Sequence, residues 1–324
     1  MKPNIAIALG AGLISAVVFA SAAAGDETAR LPLLAVAGLP IALAGFSYNA
    51  NTAIVAAAIA SAFVLLIAAP LAAVVFAVAL AFPPAILIRW TLFNRDLGPG
   101  QTEWYPIGRV LLAAALMAGS LVGTAFLLAA TDIDKLRASV RSAVVTMVKK
   151  GFAGIPGQPM DEANVTRLSE YMLNLLPGVS AIMWMGCTLL CLWIAGRVAL
   201  ASGQLARPWP DLAAFSLPVG TPLLLAAALA ASLALDAVPR LVALSFAGAL
   251  YALYVLLGLA IIHYNTRGLS WRGPALTATY FSPILPIPFV PDGGAVLFIA
   301  LLGLADSFRP MRRLPGGPKS PDPV

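Results

Sequence analysis

The sequence predicts an all-α polytopic transmembrane helical bundle of about eight to nine spans with an amphipathic helical insertion. The chain of 324 residues is 60% hydrophobic and 10% charged, whereas a soluble domain carries about 25% charged residues. Apolar runs recur along the chain, and each reaches the roughly 20 residues that cross about 30 Å of hydrocarbon as a helix. Backbone amides inside a bilayer must be paired internally, and these runs lack the alternation of barrel strands, so helical spans are expected.

The expected spans divide the chain into four regions. Residues 1–130 form an N-terminal bundle of about five spans, 131–176 amphipathic interfacial helices, 177–308 a C-terminal bundle, and 309–324 a disordered basic tail. The first span, about 4–24, follows Lys2 as in a secretory signal peptide. Its apolar stretch exceeds the usual run of roughly 7 to 15 residues, so it is expected to remain as a membrane helix. The other spans are expected at about 31–46, 52–69, 71–90, 106–130, 177–198, 215–235 and 241–264, followed by a proline-broken segment at 275–308.

The insertion at 131–176 is interpreted as two amphipathic helices around a breaker at 151–159. Apolar residues at spacings of three and four define one face of each helix. Both helices are expected to lie in the plane of the lipid head groups. The two faces are Ile133, Leu136, Val140, Val144 and Met147, and then Val165, Leu168, Met172 and Leu175.

Several local patterns concern helix shape and packing. Pro83 and Pro84 remove two amide donors, so the fourth span is expected to kink there, with neighbours satisfying the freed carbonyls. Cys187 and Cys191 share one span without further metal ligands and are interpreted as small apolar helix residues. The spacing Gly119-x-x-x-Gly123 is a weak indication that another helix approaches closely.

Aromatic and basic residues between spans are expected to fix the topology. Trp104 and Tyr105 have the position of interfacial anchors, and Arg109 is an anchor that could pair with Glu103 or Asp96. Lysines and arginines divide almost evenly between the two sides, so the cations of the tail favour a cytoplasmic C-terminus. A multi-pass location in a bacterial inner membrane is the expectation.

Three ionisable residues are candidates for a substrate or ion site. Asp292 sits at the proline-broken segment, where unwound backbone can bind ions, although an N-cap of the final helix is the simpler explanation. His263 ends a span and could relay protons or bind a ligand, although an interfacial polar residue is the favoured interpretation. Asp306 precedes Arg309, Arg312 and Arg313, which favours a local ion pair over a coupling role.

No catalytic constellation is present in the sequence, so an enzyme is not expected. It has no G-x-x-x-x-G-K-[ST] loop, no H-E-x-x-H motif and no metal-ligand spacing, and no cofactor is expected. Basic residues are scattered without interleaved aromatics, which excludes nucleic acid as a partner. The expected partners are the lipid bilayer and, for transport, a separate membrane partner or ATPase module.

Three short motifs carry a resemblance to a known family. They are Glu103–Arg109 (EWYPIGR), Gly12–Ala16 with Gly38-Leu39-Pro40 and Ala44-Gly45, and Leu302–Arg309 (LGLADSFR). On them the chain resembles the YybS-like family of bacterial membrane proteins (domain of unknown function 2232), in its alphaproteobacterial form. The resemblance implies a fold-level relation to substrate-binding subunits of energy-coupling-factor transporters, from which this chain departs by having more than their roughly six spans and by its insertion.

Two functional hypotheses remain open at this point. The first is a transporter-like, small-molecule-binding membrane subunit, motivated by the many spans, Pro83-Pro84 and the broken segment near Asp292. The second is a structural or assembly protein that docks a partner or anionic lipid through residues 131–176. The sequence does not choose between them.

Overall fold

The computed structural model describes residues 2–98, 100–129, 133–149, 161–282 and 294–312. The first half contains α1 (Ile5–Ala24), α2 (Glu27–Val36), α3 (Leu39–Ser47), α4 (Ala50–Ile67), α5 (Pro70–Phe76), a π-helical segment (Ala77–Ala81) and α6 (Phe82–Thr91). A hairpin of β1 (Asn94–Gly98) and β2 (Gln101–Trp104) follows. The second half contains α7 (Ile107–Ala129), α8 (Ile133–Lys149), α9 (Glu162–Ala201), α10 (Thr221–Ala234), α11 (Ala237–Asn265), α12 (Arg272–Phe281) and α13 (Gly294–Phe308).

The predicted all-α bundle is confirmed. Within the described residues, seven helical stretches are long and apolar enough to cross a membrane: Ile5–Ala24, Thr28–Ser47, Ala50–Ile67, Pro70–Thr91, Ile107–Ala129, Glu162–Ala201 and Ala237–Asn265. Two shorter apolar helices, Thr221–Ala234 and Gly294–Phe308, accompany them. The chain is therefore a multi-pass membrane protein.

Helix α9 differs from the prediction. Its 40 residues run without interruption through Pro177, where the sequence analysis ended an interfacial helix and began a span. A helix of that length covers about 60 Å, roughly twice the hydrocarbon thickness. Leu173 and Pro177 are both buried, so packing holds the helix together where the proline removes a hydrogen bond. The second predicted amphipathic helix is thus the first part of a long α9, while the breaker at 151–159 lies outside the described residues.

Helix α8 packs against that first part of α9. Arg141 Nη2 lies 2.6 Å from Glu162 Oε1, and Arg137 Nε lies 3.5 Å from Glu170 Oε1. Val144, on the predicted apolar face of α8, is buried. The two helices therefore form a hairpin held by ion pairs and one apolar seam.

The polar stretch between the fourth and fifth spans folds as a β-hairpin, which the sequence analysis missed. Arg95 is opposite Glu103 in the antiparallel register, and their side chains form an ion pair of 2.7 Å. Glu103 thus pairs with Arg95, and not with Arg109 as the sequence analysis considered. The hairpin closes with a hydrogen bond of 2.9 Å from Tyr105 N to Phe93 O.

Two spans of the N-terminal bundle are broken, and side chains from α9 cap both breaks. The Ala79 carbonyl would normally accept a hydrogen bond from residue 83 in an α-helix or residue 84 in a π-helix, and both are prolines. Trp184 Nε1 donates to this carbonyl at 2.8 Å. At the break between α2 and α3, Cys191 Sγ donates to Ala35 O at 3.0 Å.

Trp184 and Cys191 are seven residues apart, so they lie two turns apart on one face of α9. A third donor, Ser15 Oγ of α1, lies 2.5 Å from Ala37 O at the break between α2 and α3. Cys191 was predicted to be a small apolar helix residue, but its thiol donates a hydrogen bond to the broken span. The π-helical segment directly precedes Pro83 and Pro84, and their predicted kink remains a prediction.

Helix α11 is the central helix of the second half, and glycines allow its close contacts. A Cβ at Gly119 of α7 would lie 2.5 Å from the Phe246 ring, and one at Gly123 would lie 3.1 Å from Val242. A Cβ at Gly248 would overlap the backbone of Gly178 in α9. Both glycines of the Gly119-x-x-x-Gly123 pattern thus face α11, as small residues at membrane helix contacts do.

Replacing Gly248 with alanine should destabilise the protein. The new methyl group meets the Gly178 backbone, which has no flexible side chain to move aside. Such overpacking costs about 1–3 kcal/mol. We expect a lower thermal unfolding temperature for detergent-purified Gly248→Ala, measured by loss of the monodisperse peak in size-exclusion chromatography after heating.

Gly186→Ala in α9 is the matched control, since nothing lies within 4 Å of a Cβ built there. Its unfolding temperature should be unchanged or higher, because alanine is the better helix former. Equal stability of the two variants would contradict the assigned α9–α11 contact.

Loss of the Trp184 donor should destabilise the π-helical break. Trp184→Phe leaves the Ala79 carbonyl unpaired among apolar groups, at a cost of about 1–3 kcal/mol. In a Pro83→Ala background residue 83 regains an N–H for that carbonyl, so the same Trp184→Phe change should cost less. A double-mutant cycle of thermal stability measures the coupling, and strictly additive effects would refute the capping role.

Candidate functional site

A cavity of about 810 Å³ lies between α7, α9 and α11 and is bordered by the 202–220 connection and α12. Its size falls within the roughly 300–1,000 Å³ of small-molecule sites. The wall is mostly apolar, with representative side chains Val110, Leu111, Leu189, Leu192, Leu256 and Leu259. The polar groups concentrate on the connection after α9 and on the segment from His263 to Tyr280.

Close backbone approaches shape this end of the bundle. A Cβ at Gly108 in α7 would overlap the Ser216 carbonyl, and a Cβ at Gly196 in α9 would lie 3.1 Å from the Trp209 ring. Because both positions lack a side chain, the 202–220 connection can lie directly against α7 and α9. The connection thereby becomes a wall of the cavity.

Arg207 fixes the 202–220 connection in place. It is 8% exposed and donates through Nη1 to Thr91 O at 2.9 Å and to Tyr105 O at 3.0 Å. Its guanidinium also lies 5.7 Å from the centroid of the Trp104 ring. Burial lowers the pKa of Arg207, although an arginine keeps its charge in proteins. Arg207 therefore joins α6, the β-hairpin and the start of α7 to one wall of the cavity.

The predicted anchors Trp104, Tyr105 and Arg109 meet around this arginine. Trp104 stacks with Arg207, Tyr105 supplies it a carbonyl, and the Arg109 guanidinium lies 5.8 Å from the Tyr105 ring centroid. Their role as interface anchors remains a prediction. The structure adds that two of them hold Arg207.

Arg267 borders the cavity and forms a two-pronged ion pair with Asp211. The two nitrogen–oxygen distances are 2.7 Å and 2.5 Å, and the side chains are 41% and 46% exposed. The hydrogen bonds from Arg267 hold the pKa of the Asp211 carboxyl below its usual value. This pair is therefore ionised at neutral pH and ties the 202–220 connection to the end of α11.

His263 connects α11 to α12. Its Nε2 lies 2.9 Å from Tyr280 Oη, while Arg272 donates to the His263 carbonyl at 3.0 Å and approaches Nδ1 at 3.5 Å. Arginine can only donate, so Nδ1 is assigned as the acceptor and Nε2 as the nitrogen that donates to Tyr280. His263 is thus a neutral histidine that holds both ends of α12, and it lines the cavity.

Asp306 binds Arg312, which in turn contacts the cavity wall. It pairs with Arg312 at 2.9 Å, the two side chains being 9% and 11% exposed, and it accepts a hydrogen bond of 2.8 Å from Met311 N. Arg312 also donates to the carbonyls of Phe215 and Ala213, two residues of the cavity wall. Asp306 is therefore near the cavity and outside its lining.

The structure brings only part of the predicted set together. His263 lines the cavity, Asp306 lies one contact away, and Asp292 lies outside the described residues. Pro83 and Pro84 are buried at the start of α6, away from the lining. Most of the polar lining was missed, namely Arg207, Arg267, Arg272 and Tyr280, with Asp211 bound behind Arg267. One feature of the sequence could have pointed to this lining. Its arginines fall in connections on one side of the predicted bundle, each near an aromatic residue.

The cavity has a cationic border. Its lining includes Arg207, Arg267 and Arg272, and among the described residues that line it there is no carboxylate. Asp211 compensates Arg267 from outside the lining. An apolar volume with guanidinium groups at one end can accept a molecule that has an apolar body and a negatively charged group.

A family model described as "Predicted membrane protein (DUF2232)" matches residues 28–307. No curated protein and no solved structure matches the chain.

Replacing Arg207 should loosen the connection that forms this wall. Arg207→Gln loses two charge-assisted hydrogen bonds to partly buried carbonyls, each worth about 1.5–3 kcal/mol. We expect a clear drop in the thermal unfolding temperature of the purified protein. Arg95→Gln is the control, because its ion pair is exposed on both sides and should change stability by less than about 0.5 kcal/mol. Equal stability of the two variants would contradict the role of Arg207.

Proposed function

We propose that this chain, which belongs to the family of predicted membrane proteins whose model matches residues 28–307, is a small-molecule-binding membrane subunit. The family itself has no assigned activity. The cavity of about 810 Å³ between α7, α9 and α11 is the observation that carries the proposal. We also propose that the chain is a YybS-like protein of the alphaproteobacterial form and that it lies in a bacterial inner membrane. The bound molecule would be held by the apolar wall and oriented by the polar groups around His263.

The proposal extends to a transporter-like role. Two broken spans, between α2 and α3 and at the π-helical segment, are features that transporters use for local rearrangement. The sequence contains no nucleotide-binding loop, so transport driven by ATP would require a separate ATPase module. Helix α9 contacts both helix breaks and also lines the cavity, so it connects the two within one bundle.

The alternative, docking of a partner or of anionic lipid through residues 131–176, has less support. Arg137 and Arg141 of α8 are engaged with Glu170 and Glu162 of α9. These cations are therefore directed into the hairpin. The cavity differs in that its arginines lie beside an apolar volume of about 810 Å³.

Untargeted mass spectrometry of small molecules retained by the purified protein tests the proposal. Leu259 lines the cavity, so Leu259→Trp fills part of the volume and should reduce the retained molecule at least tenfold. Leu128→Trp on α7 is the matched control, since Leu128 is exposed on the outside of the bundle. It should retain the same molecule as the unmodified protein.

Identical retained molecules in all three proteins would contradict binding in the cavity. So would the absence of any retained molecule from the unmodified protein, when it is purified in lipid nanodiscs without detergent.

A further inference from the structure

The cavity wall reaches the outer surface of the bundle along α9. Leu190 and Trp193 both line the cavity and are 54% and 50% exposed. In a membrane-spanning helix, exposed apolar side chains of this kind face lipid, and a tryptophan is typical of the interface region. The cavity is therefore next to the acyl chains on the α9 side.

Another part of the cavity border carries groups that can hold an anion. Arg267 and Arg272 both line it, and the Tyr280 hydroxyl and the His263 ring lie beside them. Arg267 has one carboxylate partner, Asp211, and Arg272 donates to the carbonyl and ring of His263. A phosphate or carboxylate at this border would meet two guanidinium groups and a hydroxyl.

Helix α12 lies at this border of the cavity. None of its residues is buried, and the aromatic side chains Trp271, Tyr280 and Phe281 are at least half exposed. Among its contacts to α11 are those of Arg272 and Tyr280 with His263. A short amphipathic helix of this kind is suited to lie at the lipid head groups.

We infer that the cavity binds a lipid-like anion, a molecule with one carboxylate or phosphate head group and an apolar chain, which enters from the bilayer beside Leu190 and Trp193. The head group lies at Arg267, Arg272 and Tyr280, and the chain lies along the apolar wall of α7, α9 and α11. This inference rests on the proposed function and specifies the class of its ligand. Charge complementarity at the arginines and the exposed apolar side chains of α9 in the cavity wall carry it.

Photo-crosslinking in phosphatidylcholine vesicles tests the inference. Two probes are compared, a diazirine-labelled fatty acid and its methyl ester, which differ in the head-group charge. The acid should label peptides of α9 and α11 that contain Leu189, Trp193 and Leu259. The yield of these labelled peptides should be about fivefold higher with the acid than with the ester. Unlabelled dodecyl phosphate should compete with the acid, and inorganic phosphate at the same concentration should not.

Two substitutions change the local charge in opposite directions at a half-exposed pair. Asp211→Asn releases Arg267 and should raise labelling by the acid about threefold, while Arg267→Gln should lower it about threefold. Labelling by the ester should be unchanged in both variants. Arg95→Gln, which changes an exposed ion pair outside the cavity lining, is the control and should leave labelling by both probes unchanged.

The failures of the two proposals are distinguishable. Equal labelling of the cavity by acid and ester, insensitive to both charge variants, would overturn the anionic ligand and leave a small-molecule site in place. Protection by inorganic phosphate would overturn entry from the bilayer in favour of a water-soluble anion. If neither probe labels the cavity peptides and Leu259→Trp changes nothing, both proposals are wrong.

Discussion

A backbone carbonyl without a hydrogen-bond donor is costly inside hydrocarbon, and this chain exposes such carbonyls at two breaks in its spans. At Ala79 both possible helical donors are prolines, and the indole of Trp184 takes their place at 2.8 Å. Two turns further along the same face of α9, Cys191 caps Ala35. The packing of the N-terminal bundle on α9 meets this requirement, because α9 supplies a donor at each break and Ser15 of α1 supplies another between α2 and α3.

Helix α9 also links the two halves of the protein. Besides capping the breaks, α9 contacts α11 where Gly178 meets Gly248. The same helix borders the cavity with Leu189 and Trp193. Lipid gives helices little hydrophobic reason to associate, so close backbone contact through glycine and hydrogen bonds to broken helices provide the specificity.

Hydropathy was enough to predict the all-α bundle and nearly all of its spans, because the bilayer selects long apolar helices regardless of their neighbours. One local pattern also pointed to an observed contact, since Gly119 and Gly123 both face α11, whereas the kink expected at Pro83 and Pro84 remains a prediction. The β-hairpin was missed although Gly98-Pro99-Gly100 is a turn signal. The continuity of α9 was missed because Pro177 was treated as the beginning of a span, whereas the helix begins at Glu162 and runs through the buried Pro177.

The candidate site was less accessible to sequence reasoning. His263 could be singled out as the sole histidine, but its partner Tyr280 is 17 residues away and its meaning depends on how α12 folds back. Arg207 was counted as a topology cation, since nothing in the sequence indicates that it binds carbonyls more than 100 residues earlier in the chain. Such contacts depend on tertiary packing, and spacing along the chain does not encode them.

Cryo-electron microscopy of the protein in lipid nanodiscs tests the central claim most directly, since it shows whether the cavity exists in a bilayer and what fills it. We expect elongated density along Leu189 and Leu259 that ends in a compact feature between Arg267 and Arg272. A bundle in which α7, α9 and α11 close on one another, so that no volume separates His263 from the 202–220 connection, would contradict the account.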